Sequence, residues 1–256
     1  MSGGIRVTVA EGIGRLTLDR PQKRNAVTQA MWQAIPEAID SLAGDASVRV
    51  IILEGAGGDF AAGADIAEFP ETYANRARAA EYAALLARAM AAITDCSKPR
   101  LAVIQGACIG AGVALALCCD LRFADTGAYF AVTPAKLGIA YSFADTRRLV
   151  GRVGAAAASD MLFSARRLDA AEALRVRLVD RVFASDALAA ESRAYALELA
   201  ARAPSSIRVA RDFIGRAVAG QREEDAETAN AYLDMVEGAD FAEGLSAFLE
   251  KRAPRF

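Results

Sequence analysis

Two short glycine-bearing segments offer a way to do chemistry: Phe60-Ala61-Ala62-Gly63-Ala64-Asp65-Ile66 and Gln105-Gly106-Ala107-Cys108-Ile109-Gly110-Ala111-Gly112. Small residues let a ligand approach the backbone, and the start of a helix leaves N–H groups without partners. Two such turns brought together would aim two N–H donors at one oxygen, the arrangement that stabilises an oxyanion. Tight packing of helix on strand explains the glycines equally well, so the pattern alone leaves both readings open. Other routes are closed. The chain contains no histidine, which excludes Ser-His-Asp and Cys-His catalysis, His-ligated zinc and a histidine pH switch. Its four cysteines (Cys96, Cys108, Cys118 and Cys119) have no C-x-x-C spacing. Neither a metal cluster nor a disulfide framework is expected, and a reducing cytoplasm suits them.

The elements that must position these turns follow from periodicity. Ile5 to Val9 and Ile13 to Leu18 alternate with period two around Glu11-Gly12, which reads as a hairpin. A helix is expected from about Thr28 to Ala43, with Met31, Ile35, Ile39 and Leu42 on one face. Val48 to Leu53 and Leu101 to Ile104 are apolar runs suited to buried strands, and one glycine turn follows each. A helix over about Glu81 to Thr94 lies between them. Leu121 to Ala124, Tyr129 to Val132 and Val179 to Phe183 read as further short strands, and Thr228 to Val236 and Phe241 to Lys251 as terminal helices. Leu101 to Cys119 carries no charge and imitates a membrane span, but its glycines favour a buried strand, turn and helix. No apolar leader segment is read at the N-terminus.

The chain has 256 residues, 54% hydrophobic and 24% charged, which suffices for one large α/β domain with a helical appendage. Its formal net charge of −2 argues against nucleic acid as a partner.

The ordered motifs resemble those of the crotonase, or enoyl-CoA hydratase/isomerase, superfamily. The matching stretches are Leu18-Asp19-Arg20-Pro21 through Asn25-Ala26, the two glycine turns, Cys119-Asp120-Leu121-Arg122, and Glu243 to Arg252. The resemblance implies an α/β fold: a crotonase-like ββα spiral core over residues 1–195 with a C-terminal helical trimerisation region over 196–256. It implies a homotrimer or a dimer of trimers and an acyl-CoA thioester substrate, with no separate cofactor. By motif position the backbone N–H groups of Ala64 and Ala111 would hold the thioester oxygen. Lys23, Arg24 and Lys251 would reach the CoA phosphates, and Ala62, Asp65 and Ile66 would line the adenine and pantetheine path. Tyr232 matches an aromatic position that can reach CoA from a neighbouring subunit, although a core tyrosine is the simpler reading.

The sequence also departs from the family pattern. Hydratases of this family use two glutamates, and their positions here are Ala114 and, one residue uncertain in register, Ala135. General acid–base groups contribute about 10²–10⁴-fold each, so alkene hydration is expected to be very slow. The run Thr133 to Tyr141 resembles the methylmalonyl-CoA decarboxylase branch, in which a tyrosine stands where Tyr141 does. Decarboxylation needs an electron sink and no base, and a neutral Tyr141 hydroxyl could orient the departing carboxylate. Ser142-Phe143-Ala144-Asp145 reads as a helix cap, which makes Asp145 structural and leaves the pocket without an acid. The alternatives are an enoyl-CoA hydratase or isomerase with a displaced acid, Asp145 or Glu68 (Glu71 being similar), or a non-catalytic acyl-CoA binder.

Overall fold

The computed structural model describes residues 4–256. Strands β1 (Ile5–Ala10) and β2 (Ile13–Leu18) pair antiparallel. Glu11 at φ 55° and Gly12 at φ 78° are both left-handed, as a two-residue type I′ turn requires. Helix α1 (Gln29–Gly44) starts at Thr28, whose hydroxyl accepts the Met31 amide at 3.3 Å. Next come β3 (Val50–Gly55), the single turn α2 (Phe69–Thr72) and the long helix α3 (Arg76–Asp95). Helix α3 begins before the periodic apolar stretch because the Asn75 side chain accepts the Arg78 amide and caps it there.

The chain then moves back and forth between two sheets through β4 (Arg100–Ile104), β5 (Ala107–Ile109), α4 (Ala111–Leu117), β6 (Leu121–Asp125) and β7 (Tyr129–Ala131). It continues through α5 (Pro134–Leu137), α6 (Phe143–Ser164, broken at Gly154), β8 (Leu168–Asp169), α7 (Ala170–Arg175) and β9 (Arg181–Phe183). The larger sheet has the order β1-β2-β3-β4-β6-β9, parallel except for the β1–β2 pair, and the smaller has the order β5-β7-β8. The uncharged stretch from Leu101 is thus distributed over β4, β5 and α4. Among the described residues no helix is long and apolar enough to cross a membrane.

Alternation along the parallel strands assigns the two faces of the large sheet. Val50, Ile52, Leu101, Val103 and Phe123 point to one face and pack with Leu188 and Ala196 of α8 (Leu188–Ala200). Ile51, Leu53, Ala102, Ile104 and Ala124 point to the other, into the main core with α1, α3 and α4. Burial on both faces is why these strands read as continuous apolar runs. The division expected after residue 195 falls inside α8, and that whole helix covers the sheet. The projecting region is α9 (Pro204–Val218), α10 (Ala226–Asp234) and α11 (Ala239–Leu249).

Two ionic crosslinks tie the layers. Asp120 accepts Arg100 Nη2 at 2.6 Å and Arg211 Nε of α9 at 3.1 Å. Burial opposes ionisation of Asp120, but the hydrogen bonds and charge of Arg100, with the charge of Arg211, outweigh it and hold the carboxyl below its usual range. Buried Arg122 donates to Asp180 at 2.8 Å and to the Leu178 and Cys119 carbonyls. The Cys119-Asp120-Leu121-Arg122 stretch is therefore structural.

Candidate active site

The first turn is held from both sides. Ala61 donates to the Ala107 carbonyl (2.8 Å) and accepts from the Ile109 amide (2.9 Å), which adds it to the edge of β5. On its other side, Val27 donates to the Gly63 carbonyl (2.8 Å) and accepts from the Asp65 amide (2.9 Å). Backbone groups alternate in direction along extended chain. Gly63 and Asp65 therefore bond to Val27, while the Ala64 N–H points away and has no acceptor among the described residues. In the second turn Gly110, at φ 55°, donates to Ala131 (2.8 Å), and Ala111 is the first residue of α4. A first-turn N–H has no partner inside its own helix.

Glycine is required where the turns meet. A Cβ on Gly63 would stand 2.9 Å from the Ile109 carbonyl oxygen and 3.6 Å from the Ala111 nitrogen, and Gly63 is at φ 101°. A Cβ on Gly112 would lie 2.6 Å from the Ala61 carbonyl oxygen. Close packing thus accounts for these glycines, and the same packing brings Ala64 and Ala111 to one place.

Both residues line a cavity of about 700 Å³ whose far wall is apolar, with Leu86 and Met90 of α3. Ala62, Ile66 and Tyr141 also line it. Lys23, Arg24, Asp65 and Lys251 do not. Lys23 and Arg24 are exposed in the loop before α1, with Arg24 Nε 3.8 Å from the Asp59 carboxylate. The Asp65 carboxylate accepts Arg20 Nη1 at 2.9 Å and the Ala67 amide at 3.1 Å. Burial opposes its ionisation, but these contacts hold Asp65 below the usual carboxylate range. Lys251 is exposed beyond the end of α11.

Ala114 is on the cavity wall, while Ala135 and Lys136 are exposed and outside it. Glu68 is also outside, its Oε2 accepting the Gln29 amide at 2.7 Å, and Glu71 lines a separate depression. The Tyr141 hydroxyl donates to the Gly110 carbonyl at 3.3 Å, beside the second turn. Burial, reinforced by the charge of Asp145, pushes its pKa well above the ordinary phenol value, so the hydroxyl is neutral.

The expectation of a cavity without an acid is corrected. Ser142 caps α6 as expected, its Oγ accepting the Asp145 amide (3.0 Å) and donating to the Asp145 carboxylate (2.6 Å). Yet Asp145 also stands on the cavity wall, paired with Arg148 Nη1 at 3.0 Å. A cap motif shows where a helix starts and not what its first turn faces, so the sequence leaves a cavity-facing Asp145 as an alternative only and gives no sign of Arg148. Asn25, fully buried, was also missed as the pin of the first loop: its Nδ2 donates to the Ala56 and Asp59 carbonyls (2.8 and 2.6 Å).

The fold thus sets the Ala64 and Ala111 amides, neither with an acceptor among the described residues, on the wall of one cavity. The chain belongs to the enoyl-CoA hydratase/isomerase family, whose profile matches residues 8–256. It is 34% identical over 245 residues to a probable enoyl-CoA hydratase of Mycobacterium tuberculosis, covering 95% of this chain and 94% of that one. It is 31% identical over 252 residues to the crotonyl-CoA hydratase of Syntrophomonas wolfei, covering 96% and 95%. The crystal structure of an enoyl-CoA hydratase/isomerase family protein from Hyphomonas neptunium superposes with a TM-score of 0.96 at 39% identity, covering 99% and 97%. The chain is thus a crotonase-family enzyme acting on an acyl-CoA thioester.

Proposed function

We propose that the Ala64 and Ala111 amides hold the thioester carbonyl oxygen and that the reaction is loss of CO₂ from a malonyl- or methylmalonyl-CoA-type substrate. One observation carries this reading: Ala114 faces the cavity where the family's hydratases place a glutamate, and Asp145 is already bonded by Ser142 and Arg148. In the step, the electrons of the Cα–CO₂⁻ bond enter the carbonyl π system as CO₂ departs. The resulting enolate oxygen is held by the two amides, and water then supplies a proton to Cα. Such a step requires the breaking bond to stand perpendicular to the thioester plane, and the neutral Tyr141 hydroxyl, turning its one proton from the Gly110 carbonyl to the substrate, would orient the carboxylate.

Release of labelled CO₂ from methylmalonyl-CoA tests the reading. Tyr141→Phe is expected to slow it about ten- to a hundredfold, since a hydrogen bond to a charged group contributes roughly 1.5–3 kcal/mol. No release by the unaltered protein, or an unaffected Tyr141→Phe rate, overturns it. The position of Asp145 on the wall favours a second reading, a hydratase or isomerase with a displaced acid. Loss of crotonyl-CoA absorbance that Asp145→Asn abolishes would select that one, and binding without turnover across a thioester panel would select an acyl-CoA binder.

The C-terminal helices belong to the same proposal. Ile214, Val218, Leu233, Phe248 and Leu249 are exposed, with Phe248 81% accessible. Apolar faces of this extent call for partners, and copies of the chain are the partners the family resemblance implies. Sedimentation equilibrium is expected to read three or six times the 26.9 kDa chain mass, and a single-chain mass would refute the assembly.

A further inference from the structure

On an otherwise uncharged cavity wall, Arg148 and Asp145 form an ion pair with an asymmetric use of its hydrogen bonds. Asp145 takes the Ser142 hydroxyl at 2.6 Å as well as Arg148 at 3.0 Å. Arg148 has five N–H donors, and among the described residues only one of them, on Nη1, finds an acceptor. Its side chain is 22% exposed, and it lines the same cavity as Ala64, Ala111 and Tyr141. A carboxylate acyl group entering a cavity that held Asp145 alone would meet like charge. Arg148 offsets that charge and keeps its remaining fork of donors for a second oxyanion.

We infer that Arg148 is a specificity-determining residue that recognises a carboxylate on the acyl group, so that the enzyme selects thioesters of dicarboxylic acids over uncharged acyl chains of the same length. The inference deepens the proposed function and rests on its assignment of the cavity as the acyl site. It does not depend on decarboxylation, because binding alone reports it. Asp145 is then a tuning residue: held by Ser142, it orients the guanidinium and partly cancels its charge.

Succinyl-CoA and butyryl-CoA are the probes, because they match in length, differ in the terminal carboxylate, and carry no carboxylate β to the thioester that could leave as CO₂. Calorimetry on the unaltered protein is expected to show succinyl-CoA bound about tenfold or more tighter, the range for hydrogen bonds to a charged group. Arg148→Met should erase that preference while butyryl-CoA affinity stays within about twofold, and Arg148→Lys should keep part of it. Asp145→Asn should strengthen succinyl-CoA binding several-fold, and it carries the test if Arg148→Met does not fold. Equal affinities in the unaltered protein, a preference that survives Arg148→Met, or weaker succinyl-CoA binding in Asp145→Asn would each overturn the assignment. A clear preference with no CO₂ released from methylmalonyl-CoA would support Arg148 and sink only the decarboxylation.

Discussion

Replacing Ala111 with proline is expected to remove about 10²–10³-fold of kcat, the effect of deleting one oxyanion donor, while the folded structure survives. The two halves of this expectation have separate causes. Ala111 is the first residue of α4, where proline's fixed φ is already suitable and its missing N–H breaks no helix bond. The residue before a proline is normally restricted, but here it is Gly110, with no Cβ to clash. Stability should therefore change by no more than about 1 kcal/mol. The Ala111 N–H lies at the cavity wall with no acceptor among the described residues, so its loss falls on whatever oxygen occupies the site. Proline also puts a ring carbon where the hydrogen was, so the expected loss contains both effects; Ala111→Gly is the side-chain control, because it keeps the N–H and removes only a methyl. Ala111→Gly should stay within a few-fold of the unaltered rate. A folded Ala111→Pro protein that turns over normally would show that this amide is not a donor.

The parts of the molecule legible in the sequence are those whose burial is repeated along the chain. The hairpin, α1 and the buried strands β3, β4 and β6 each impose a period or an apolar run, and they lie where those patterns stand. Strands β5 (three residues) and β8 (two residues) are too short to display alternation. They exist because the second sheet collects one short piece from each turn of the spiral. Tyr232 is 63% exposed rather than in a core: the apolar faces of the terminal helices lack cover within one chain, and a hydrophobic pattern does not say which chain supplies it. At the site, glycines marked both turns, since a backbone contact leaves a compositional trace. Asp145 and Arg148 left none of that kind. Their placement comes from the packing of α6 against α4 beside the cavity, which no local pattern encodes.

Replacing Asn25 with alanine should cost about 3 kcal/mol of stability and also lower kcat in the protein that remains folded. Asn25 is fully buried and sits at φ 55°, a conformation that asparagine tolerates better than alanine. Its side chain completes three hydrogen bonds: two to the Ala56 and Asp59 carbonyls, and one accepted from the Arg20 amide at 2.9 Å. Each buried backbone group left without its partner costs roughly 1–3 kcal/mol, offset in part where Arg20, only half-buried, can find water. The catalytic consequence follows the backbone. The loop that Asn25 pins also accepts the Ala62 amide at the Arg24 carbonyl and pairs Val27 with Gly63 and Asp65, and those bonds aim the Ala64 N–H. Denaturant unfolding and kcat measured well below the midpoint read the two effects separately. A loss under about 1 kcal/mol with unchanged kcat would transfer the pinning role to Arg20, whose guanidinium joins the Ala26 carbonyl (2.6 Å) to Asp65 across the same loop.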